Sequence, residues 1–488
     1  MSIPVNRITA ALTAADLLAE VRGPLPDEVA SVEDDSRRVA KGGLFIATKG
    51  SERDGHDYLD GAQQQGAAIA VVEDARRTTL PAIVVRDGRR AAAIVAAAAF
   101  DFPVRDLRLI GITGTNGKTT TAHIVRHLLD SKKVRSASIG TVGVLVGSEG
   151  APCGEDTGLT TPGPVALQRV LRELRTAGVG NVAMEVSSHA LNQRRVEGLD
   201  YEAAVYTNLT RDHLDYHKTM DDYRAAKARL CSYLVPHGTV VVNLDDPAWR
   251  ALATDRRKVG FSTRVHTAEV HARNITYSPR GSAWTLMVGN DPFSVHLPLI
   301  GDFNISNALG AAAAAYAVGL PSDTIAERLG TVPQVPGRLE VIHDRPIVLR
   351  DYAHTPDALE RALQAVRPFT KGRLVVVFGA GGDRDGGKRP LMGGIAERFA
   401  DVAIVTSDNP RTENPDAILD QIEEGMQHSR HERIEDRRDA IARALEIAGD
   451  DDVVVLAGKG HETYQIRGTE KLPFDERAIV AELSGARA

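Results

Sequence analysis

The stretch Gly111-Ile-Thr-Gly-Thr-Asn-Gly-Lys-Thr-Thr-Thr121 carries residue types at a spacing that can hold phosphate. In the phosphate-loop pattern G-x-x-x-x-G-K-[ST], backbone N–H groups cradle phosphate oxygens, the lysine reaches the β/γ-phosphates and the hydroxyl ligates Mg2+. Gly117, Lys118 and Thr119 supply the second half of that pattern. Its first glycine position is filled by Ile112, with Gly111 one place earlier. The apolar run LRLIGIT precedes the segment and TAHIVRHLL follows it, so a strand ending at Ile112 and a helix starting near Lys118 are predicted. N–H groups at such a helix start point at an anion. Nucleotide binding through Gly114, Thr115, Asn116, Gly117, Lys118, Thr119 and Thr120 is expected. The competing reading is a plain glycine turn before a helix.

Such a loop does not name a reaction, because kinases, ATPases, GTPases and ligases all use it. A GTPase switch would want an Asn-Lys-x-Asp segment, which is absent, and a simple kinase has no need of a further domain after its ATPase core. Two polar residues follow apolar runs downstream: Glu185 in AMEVSSHAL and His213 in TNLTRDHLDYH. At strand ends such groups reach the top of the sheet, where metal chemistry is possible. Either could equally be a solvated carboxylate or a turn-packing histidine.

The elements that must position these groups follow from hydrophobic patterning. A chain of 488 residues exceeds one ordinary core, so several domains are expected. Residues 1–102 contain GGLFIAT, AAIAVVE and an alanine-rich segment, which suits a small α/β domain. Residues 103–335 alternate buried strands (LRLIGIT, NVAMEVS, AAVYTNL, GTVVVNL) with helical stretches, the signature of a mainly parallel sheet covered by helices. After VPQVPGR the alternation restarts in residues 336–488 with RLVVVFGAG, ADVAIVTSD and DDVVVLAGKG, each strand running into a glycine-bearing or polar turn. The fold class is therefore α/β in three domains, a central P-loop ATPase sheet among them. A formal charge of −6, with no basic run, disfavours nucleic acid and anionic membrane as partners. Cys153 and Cys231 are too few for a disulfide framework, and no apolar run approaches a membrane span. A cytoplasmic monomer is expected.

GTNGKT, TTPGP, EVSSHAL, TNLTRDHLDYH, YRAAKARL, NLDDP, GDFNISNALGA, PGRLE, DYAHTPDAL, GGDRDGGKRPLM, SDNPRTENP and GKGHE, in that order and over nearly the whole chain, resemble the Mur ligases, and more narrowly their diaminopimelate-adding branch. The resemblance implies that the γ-phosphate of ATP is moved onto a substrate carboxylate and that an amine displaces phosphate to form an amide. It implies a Rossmann-like C-terminal domain and makes the early glycine a family feature. Mg2+ would be held by Thr119 and Glu185, and a second ion by His213 together with Lys227, which matches the lysine that the family carbamylates to N6-carboxylysine. Lys118, Glu185, His213 and Lys227 are thereby the implied catalytic set. Asn304, Arg338 and Asp351 match nucleotide-binding positions.

By the same resemblance UDP-N-acetylmuramoyl-L-Ala-D-Glu is held by Ser36, by Ser51 with its neighbours Glu52 and Arg53, and by Thr160, Thr161, Ser187, Gln193 and Arg195. Meso-diaminopimelate falls to Arg384, Asp408, Asn409, Pro410, Arg411, Gly458 and Glu462. A guanidinium at Arg411 is chemically apt, since diaminopimelate has a second carboxylate that lysine lacks. The alternatives are the lysine-adding form of the same ligase, a ligase like folylpolyglutamate synthetase, and a silent nucleotide-binding module. The N-terminal domain and the Asp408-Asn-Pro-Arg411 stretch weigh against the second, and the intact implied catalytic set against the third.

Overall fold

A computed structural model of the chain describes residues 2–50, 53–154, 158–278, 280–428 and 431–485. It divides into two compact units, residues 1–270 with 309–325, and residues 271–308 with 326–488. The first unit holds two α/β sheets. The N-terminal one has the strand order Leu18–Arg22, Ala82–Val85, Ala67–Val72, Gly43–Ile46, Val32–Glu33, parallel except for the first. Its alanine-rich helix, Gly88–Ala99, starts where the Asp87 carboxylate accepts the Arg90 N–H and buries its alanines against the sheet side of the core.

The second sheet is centred on the strand Arg108–Thr113, flanked in parallel by Val179–Glu185 and Tyr201–Tyr206, and extended by Arg135–Gly140 on one side and by Leu234–Asn243 and Arg257–Ser262 on the other. Strands buried on both faces need apolar residues at consecutive positions, and LRLIGIT and YEAAVY supply them. Register decides what meets at the carboxyl edge. Glu185 pairs with Ile112 and Tyr206 with Thr113, so the loop after Thr113 emerges between the Glu185 strand end and Thr207-Asn208.

Not everything in residues 103–335 is parallel. Gly143–Val146 and Ala151–Pro152 add antiparallel edge strands, and Gly281–Val288 pairs antiparallel with Asp291–Leu297. Val288 faces Asp291 across Gly289-Asn290, with Gly289 at φ +61°, and a two-residue turn leaves no length for a crossover helix.

The second unit is built on a six-stranded sheet in the order Glu340–Asp344, Ile347–Asp351, Val453–Ala457, Leu374–Phe378, Val402–Val405, His431–Arg433, parallel apart from the first strand. The chain moves outward from Leu374–Phe378 through the next two strands and then returns to its other side with Val453–Ala457. That reversal is a topological switch point, and ligands bind at the carboxyl ends of such strands. No helix among the described residues is long and apolar enough to cross a membrane.

An ion pair closes this unit from inside. Arg437 Nε donates to Glu476 Oε1 at 2.8 Å and Arg437 Nη2 to the Ala457 carbonyl at 2.9 Å, all of it sealed from solvent. Removing one partner strands a buried charge, so Glu476→Ala is expected to destabilise the chain by about 3–5 kcal/mol. The double replacement Arg437→Met with Glu476→Met is expected to cost less than the single one. Urea unfolding of both variants checks this; equal losses would mean that the pair is not what the helix Glu476–Gly485 depends on.

Candidate active site

The loop after Thr113 explains the early glycine. Gly111 is not part of it: the residue sits inside the strand, where a Cβ would lie 3.0 Å from the Tyr201 ring and 3.1 Å from Leu230 Cδ1. Its glycine is a packing requirement of the core. The loop's own glycines are Gly114, at φ +152°, and Gly117, at φ +82°, which caps the helix Lys118–Leu129. A Cβ on Gly114 would fall 1.9 Å from Thr207 Oγ1. The loop is pinned to the neighbouring strand end: Thr115 N–H donates to Asn208 O (2.8 Å), Asn116 N–H to Asn208 Oδ1 (2.9 Å), and Thr207 Oγ1 to Asn116 O (2.6 Å).

Two lysines converge on this loop. Lys118 Nζ donates to the carbonyls of Gly114 (3.0 Å) and Thr115 (2.8 Å), and Lys227 Nζ donates to the same Gly114 carbonyl at 2.7 Å. Lys227 is 1% exposed, and its ammonium also lies 4.5 Å from the centre of the Tyr223 ring. The helix Met220–Ala228 starts from Thr219, whose hydroxyl accepts the Asp222 N–H, and turns Tyr223, Ala226 and Lys227 inward at helical spacing. A helical lysine that patterning alone would leave in solvent is thus buried. Burial, reinforced by Lys118, pushes the Lys227 ammonium well below the ordinary lysine value, toward the neutral amine that can attack CO2.

Glu185 is 1% exposed at its strand end. Thr141 N–H donates to Oε1 at 2.9 Å and the Thr141 hydroxyl to Oε2 at 3.3 Å. The side chain lies over Gly140, where a Cβ would come within 2.0 Å of Oε1. His213 occupies the left-handed region, φ +53°, at the start of the short helix Leu214–His217. Its ring is half-exposed, with Nε2 3.5 Å from Asp212 Oδ2. Burial pulls its pKa below the ordinary histidine value, Asp212 opposes this, and Lys118 and Lys227 add to it. His189 packs edge-on to His213 at 4.8 Å between ring centres, and burial first, then its histidine neighbours, push it down to about 4.

Among the described residues no group of three or more His, Cys, Asp or Glu could by itself hold a metal ion. The donors at hand are of another kind: the buried Thr119 hydroxyl, in the first turn of the helix after the loop, and the Glu185 carboxylate, at the end of the neighbouring strand, are hard oxygen ligands, the chemistry that Mg2+ takes. A carbamate on Lys227 would add oxygen donors beside His213.

Thr160, Thr161, Ser187, Gln193 and Arg195 are drawn into one network. The Thr160 hydroxyl meets that of Thr141 at 3.1 Å, and the Thr161 hydroxyl donates to Glu185 O (2.9 Å) and accepts the Ser187 N–H (3.0 Å). Arg195 donates to Thr161 O (2.9 Å) and, through Nη2, to Gln193 Oε1 (2.7 Å). Ser36 opens a short turn capped by Asp35, and the adjoining Asp34 carboxylate faces Gly163 of the TTPGP stretch, 3.5 Å from where its Cβ would be. Ser51 and Glu52 lie outside the described residues. Arg53 is exposed, and its carbonyl accepts the Gly50 N–H.

In the second unit Asn304 is buried, with Nδ2 donating to Ile300 O and Oδ1 accepting from Asn307. The Arg338 guanidinium stacks 4.9 Å from the Tyr352 ring centre. Asp351 accepts the N–H groups of Leu339 (2.7 Å) and Ala353 (2.9 Å), and burial pushes it up to about 6.

The remaining expected residues gather at the switch point. Asn409 Nδ2 donates to Glu462 Oε2 at 2.9 Å. Arg411, at φ +51°, donates from Nη1 to Gly382 O at 2.8 Å, and a Cβ on Gly381 would lie 2.9 Å from that nitrogen. Pro410 O closes over Gly382, where a Cβ would come within 1.9 Å of it, and Gly458, at φ +115°, would bring a Cβ within 3.1 Å of Asp408 Oδ2. Arg384 is exposed and bonded to its neighbour Asp383 O. Sequence reasoning missed Thr141, Tyr223 and Lys459, which hold Glu185, Lys227 and Asn409; Tyr223 and Lys459 stand inside YRAAKARL and GKGHE, but each of the three acts through a contact that only the fold creates.

The chain matches three family models: Mur ligase family, catalytic domain, over residues 28–109; Mur ligase middle domain over 112–315; and Mur ligase, glutamate ligase domain, over 337–460. It is 45% identical to a UDP-N-acetylmuramoyl-L-alanyl-D-glutamate--2,6-diaminopimelate ligase of Geobacillus kaustophilus, over 94% of this chain and 95% of that one. A solved structure of an enzyme of that name superposes with a TM-score of 0.70 at 32% identity, covering 100% of this chain and 99% of the other. A folylpolyglutamate synthase of Mycobacterium tuberculosis, complexed with ADP and AMPPCP, shares the fold over 76% of this chain at a TM-score of 0.64 and 20% identity. The chain is a three-domain α/β protein and belongs to the Mur ligase family.

Proposed function

We propose that the protein is an ATP-dependent amide ligase that adds meso-diaminopimelate to the D-glutamate of UDP-N-acetylmuramoyl-L-alanyl-D-glutamate, in cytoplasmic peptidoglycan precursor synthesis, and that it acts as a monomer. The observation that carries this reading is near-full-length likeness to ligases of that name, with Asp408-Asn-Pro-Arg411 at the carboxyl edge of the C-terminal sheet. The domains divide at 1–102, 103–335 and 336–488, in keeping with the breaks between the family models after residues 109 and 315. The folylpolyglutamate-type alternative is disfavoured because that likeness leaves about a quarter of the chain unmatched.

The residues divide the work by their chemistry. The N–H groups of Gly114 to Thr120 and the Lys118 ammonium receive the ATP phosphates, while Asn304, Arg338 and Asp351 serve the rest of the nucleotide. Thr119 and Glu185 hold Mg2+, with His213 and carbamylated Lys227 at a second ion. Bound there, Mg2+ offsets the charge that builds on the transferring phosphoryl group. Ser36, Ser51, Thr160, Thr161, Ser187, Gln193 and Arg195 hold the UDP-substrate, so that its D-glutamate carboxylate can take the γ-phosphoryl group and release ADP. The neutral amine of diaminopimelate, held by Arg384, Asp408, Asn409, Arg411, Gly458 and Glu462, attacks the acyl carbon. Phosphate leaves with the bonding pair, and the amine gives up one proton as the amide forms.

Lys118→Ala is expected to abolish ADP release and leave the UDP-substrate bound, since the lysine serves only phosphate. Calorimetry and a coupled ADP assay separate the two, and ordinary ADP release would end this assignment.

Lys227→Ala is expected to be nearly inactive and to recover part of its rate with added acetate or formate, which can stand in for the carbamate oxygens. A wild-type rate without additive would make the carbamate dispensable.

Arg411 is expected to set the choice of amino acid. Its guanidinium has five N–H donors, of which the Gly382 bond uses one. Pairing another two with the distal carboxylate contributes roughly 1.5–3 kcal/mol, so discrimination against lysine of about 10- to 100-fold is expected. Arg411→Ala is expected to lose most of its kcat/KM with diaminopimelate and little of its poor value with lysine. An unchanged ratio between the two substrates would show that Arg411 does not read that carboxylate.

A further inference from the structure

The turn that follows the strand Val453–Ala457 holds a cation for which the proposed chemistry has no use. Lys459 is 0% exposed and lies between Gly458, at φ +115°, and Gly460, at φ +54°. A Cβ on Gly460 would come 2.7 Å from Tyr352 Cβ, so the turn is pressed against the adjacent strand end with Lys459 driven inward. Its ammonium donates to Tyr464 O at 2.7 Å and to Asn409 Oδ1 at 3.0 Å, and lies 3.5 Å from Asp408 Oδ1 and 3.6 Å from Glu462 Oε2.

These contacts decide how Asn409 is turned. Its Oδ1 accepts both from Lys459 and from the Ile466 N–H at 2.9 Å, two donors that only a carbonyl oxygen can satisfy. Nδ2 must then face the other way, where it donates to Glu462 Oε2. With Oε2 engaged by Asn409 and drawn to the ammonium, Oε1 is the Glu462 oxygen left to meet a cationic ligand. Asp408 Oδ1 makes no hydrogen bond of its own and has the Lys459 charge as its neighbour. One buried ammonium therefore sets three of the side chains expected to grip the amino acid.

We propose that Lys459 is the positioning residue of the amino-acid site: it fixes the amide orientation of Asn409 and the direction of the Glu462 carboxylate without touching substrate. This rests on the reading that Asn409 and Glu462 bind the incoming amino acid. A cation serving only the stability of the fold would leave the affinity of the folded chain for the amino acid untouched.

The test is steady-state kinetics of the full chain and of Lys459→Met, with each substrate varied in turn and with diaminopimelate and lysine both assayed. Loss of the oriented carboxylate is expected to raise the KM for the amino acid about 10- to 100-fold, with the KM values for ATP and the UDP-substrate unchanged. In a Glu462→Gln background the same substitution is expected to add little, because both changes disable one grip. Lys459→Gln, which keeps an N–H donor, serves if Lys459→Met does not fold, and is expected to raise the same KM. An amino-acid KM that stays put in the folded variant, or additive losses in the double variant, would overturn the role of Lys459 while leaving the substrate reading intact. If the unsubstituted chain uses lysine in place of diaminopimelate, the substrate reading falls and Lys459 is judged on the lysine KM. If it uses neither, both fall.

Discussion

Two ammonium groups on one carbonyl oxygen set the conditions for the rest of the first unit. Lys118 and Lys227 both donate to Gly114 O, and like charges so close repel unless anions arrive or one lysine gives up its proton. The fold leaves room for both outcomes. The loop's N–H groups stand at a helix start, ready for phosphate, and the depressed pKa of Lys227 favours a neutral amine that CO2 can convert into an anion. The arrangement exists only because Gly114 can adopt φ +152° and because its missing side chain admits Thr207. Strand register then does the remainder by bringing Glu185 and Thr207-Asn208 to the same edge.

The second unit solves the opposite problem. Asp408, Glu462 and Asp351 are carboxylates near the carboxyl ends of parallel strands, and burial penalises the charge of Asp351. Arg338 offsets that penalty, Lys459 stands beside Asp408 and Glu462, and Arg437 with Glu476 fixes the helices behind the sheet. The site proposed for a zwitterionic amino acid needs both signs of charge held apart at fixed distance. Arg411, anchored to Gly382 O, and Glu462, anchored through Asn409, are one group of each sign.

Much of this was legible in the sequence, and the limits have physical causes. The parallel sheets could be read because a strand buried on both faces must be apolar at consecutive positions, and the loop could be read because its N–H groups need glycine and a helix start. Gly111 misled for an instructive reason: it looked like a displaced loop glycine, and it is a strand residue whose absent side chain makes room for Tyr201. The antiparallel strand pair Gly281–Leu297 was not foreseen, since one strand is mostly buried and the other mostly exposed, and with a two-residue turn between them they leave no alternation of strand and helix to read. Lys227 carried no signal of burial, because its helix is polar on its other faces and its partner is a backbone oxygen far away in sequence.

Family membership narrows the chemistry to ligation but does not by itself choose the amine. The same fold, at 20% identity, belongs to a folylpolyglutamate synthase. What separates the readings is local: an arginine held in the left-handed region at the end of Asp408-Asn-Pro-Arg411, its guanidinium tied by one nitrogen to a glycine carbonyl. A non-glycine residue at φ +51° costs backbone energy that surrounding contacts must repay. Arg411 N–H donates to Ile466 O and its own carbonyl accepts the Gly468 N–H, so both sides of the strained residue are locked to the strand Tyr464–Arg467 and the turn after it. A guanidinium needed only for solubility would not require a fixed backbone. One that must distinguish a second carboxylate from a hydrogen does, because the discrimination is lost if the side chain can follow the smaller ligand inward.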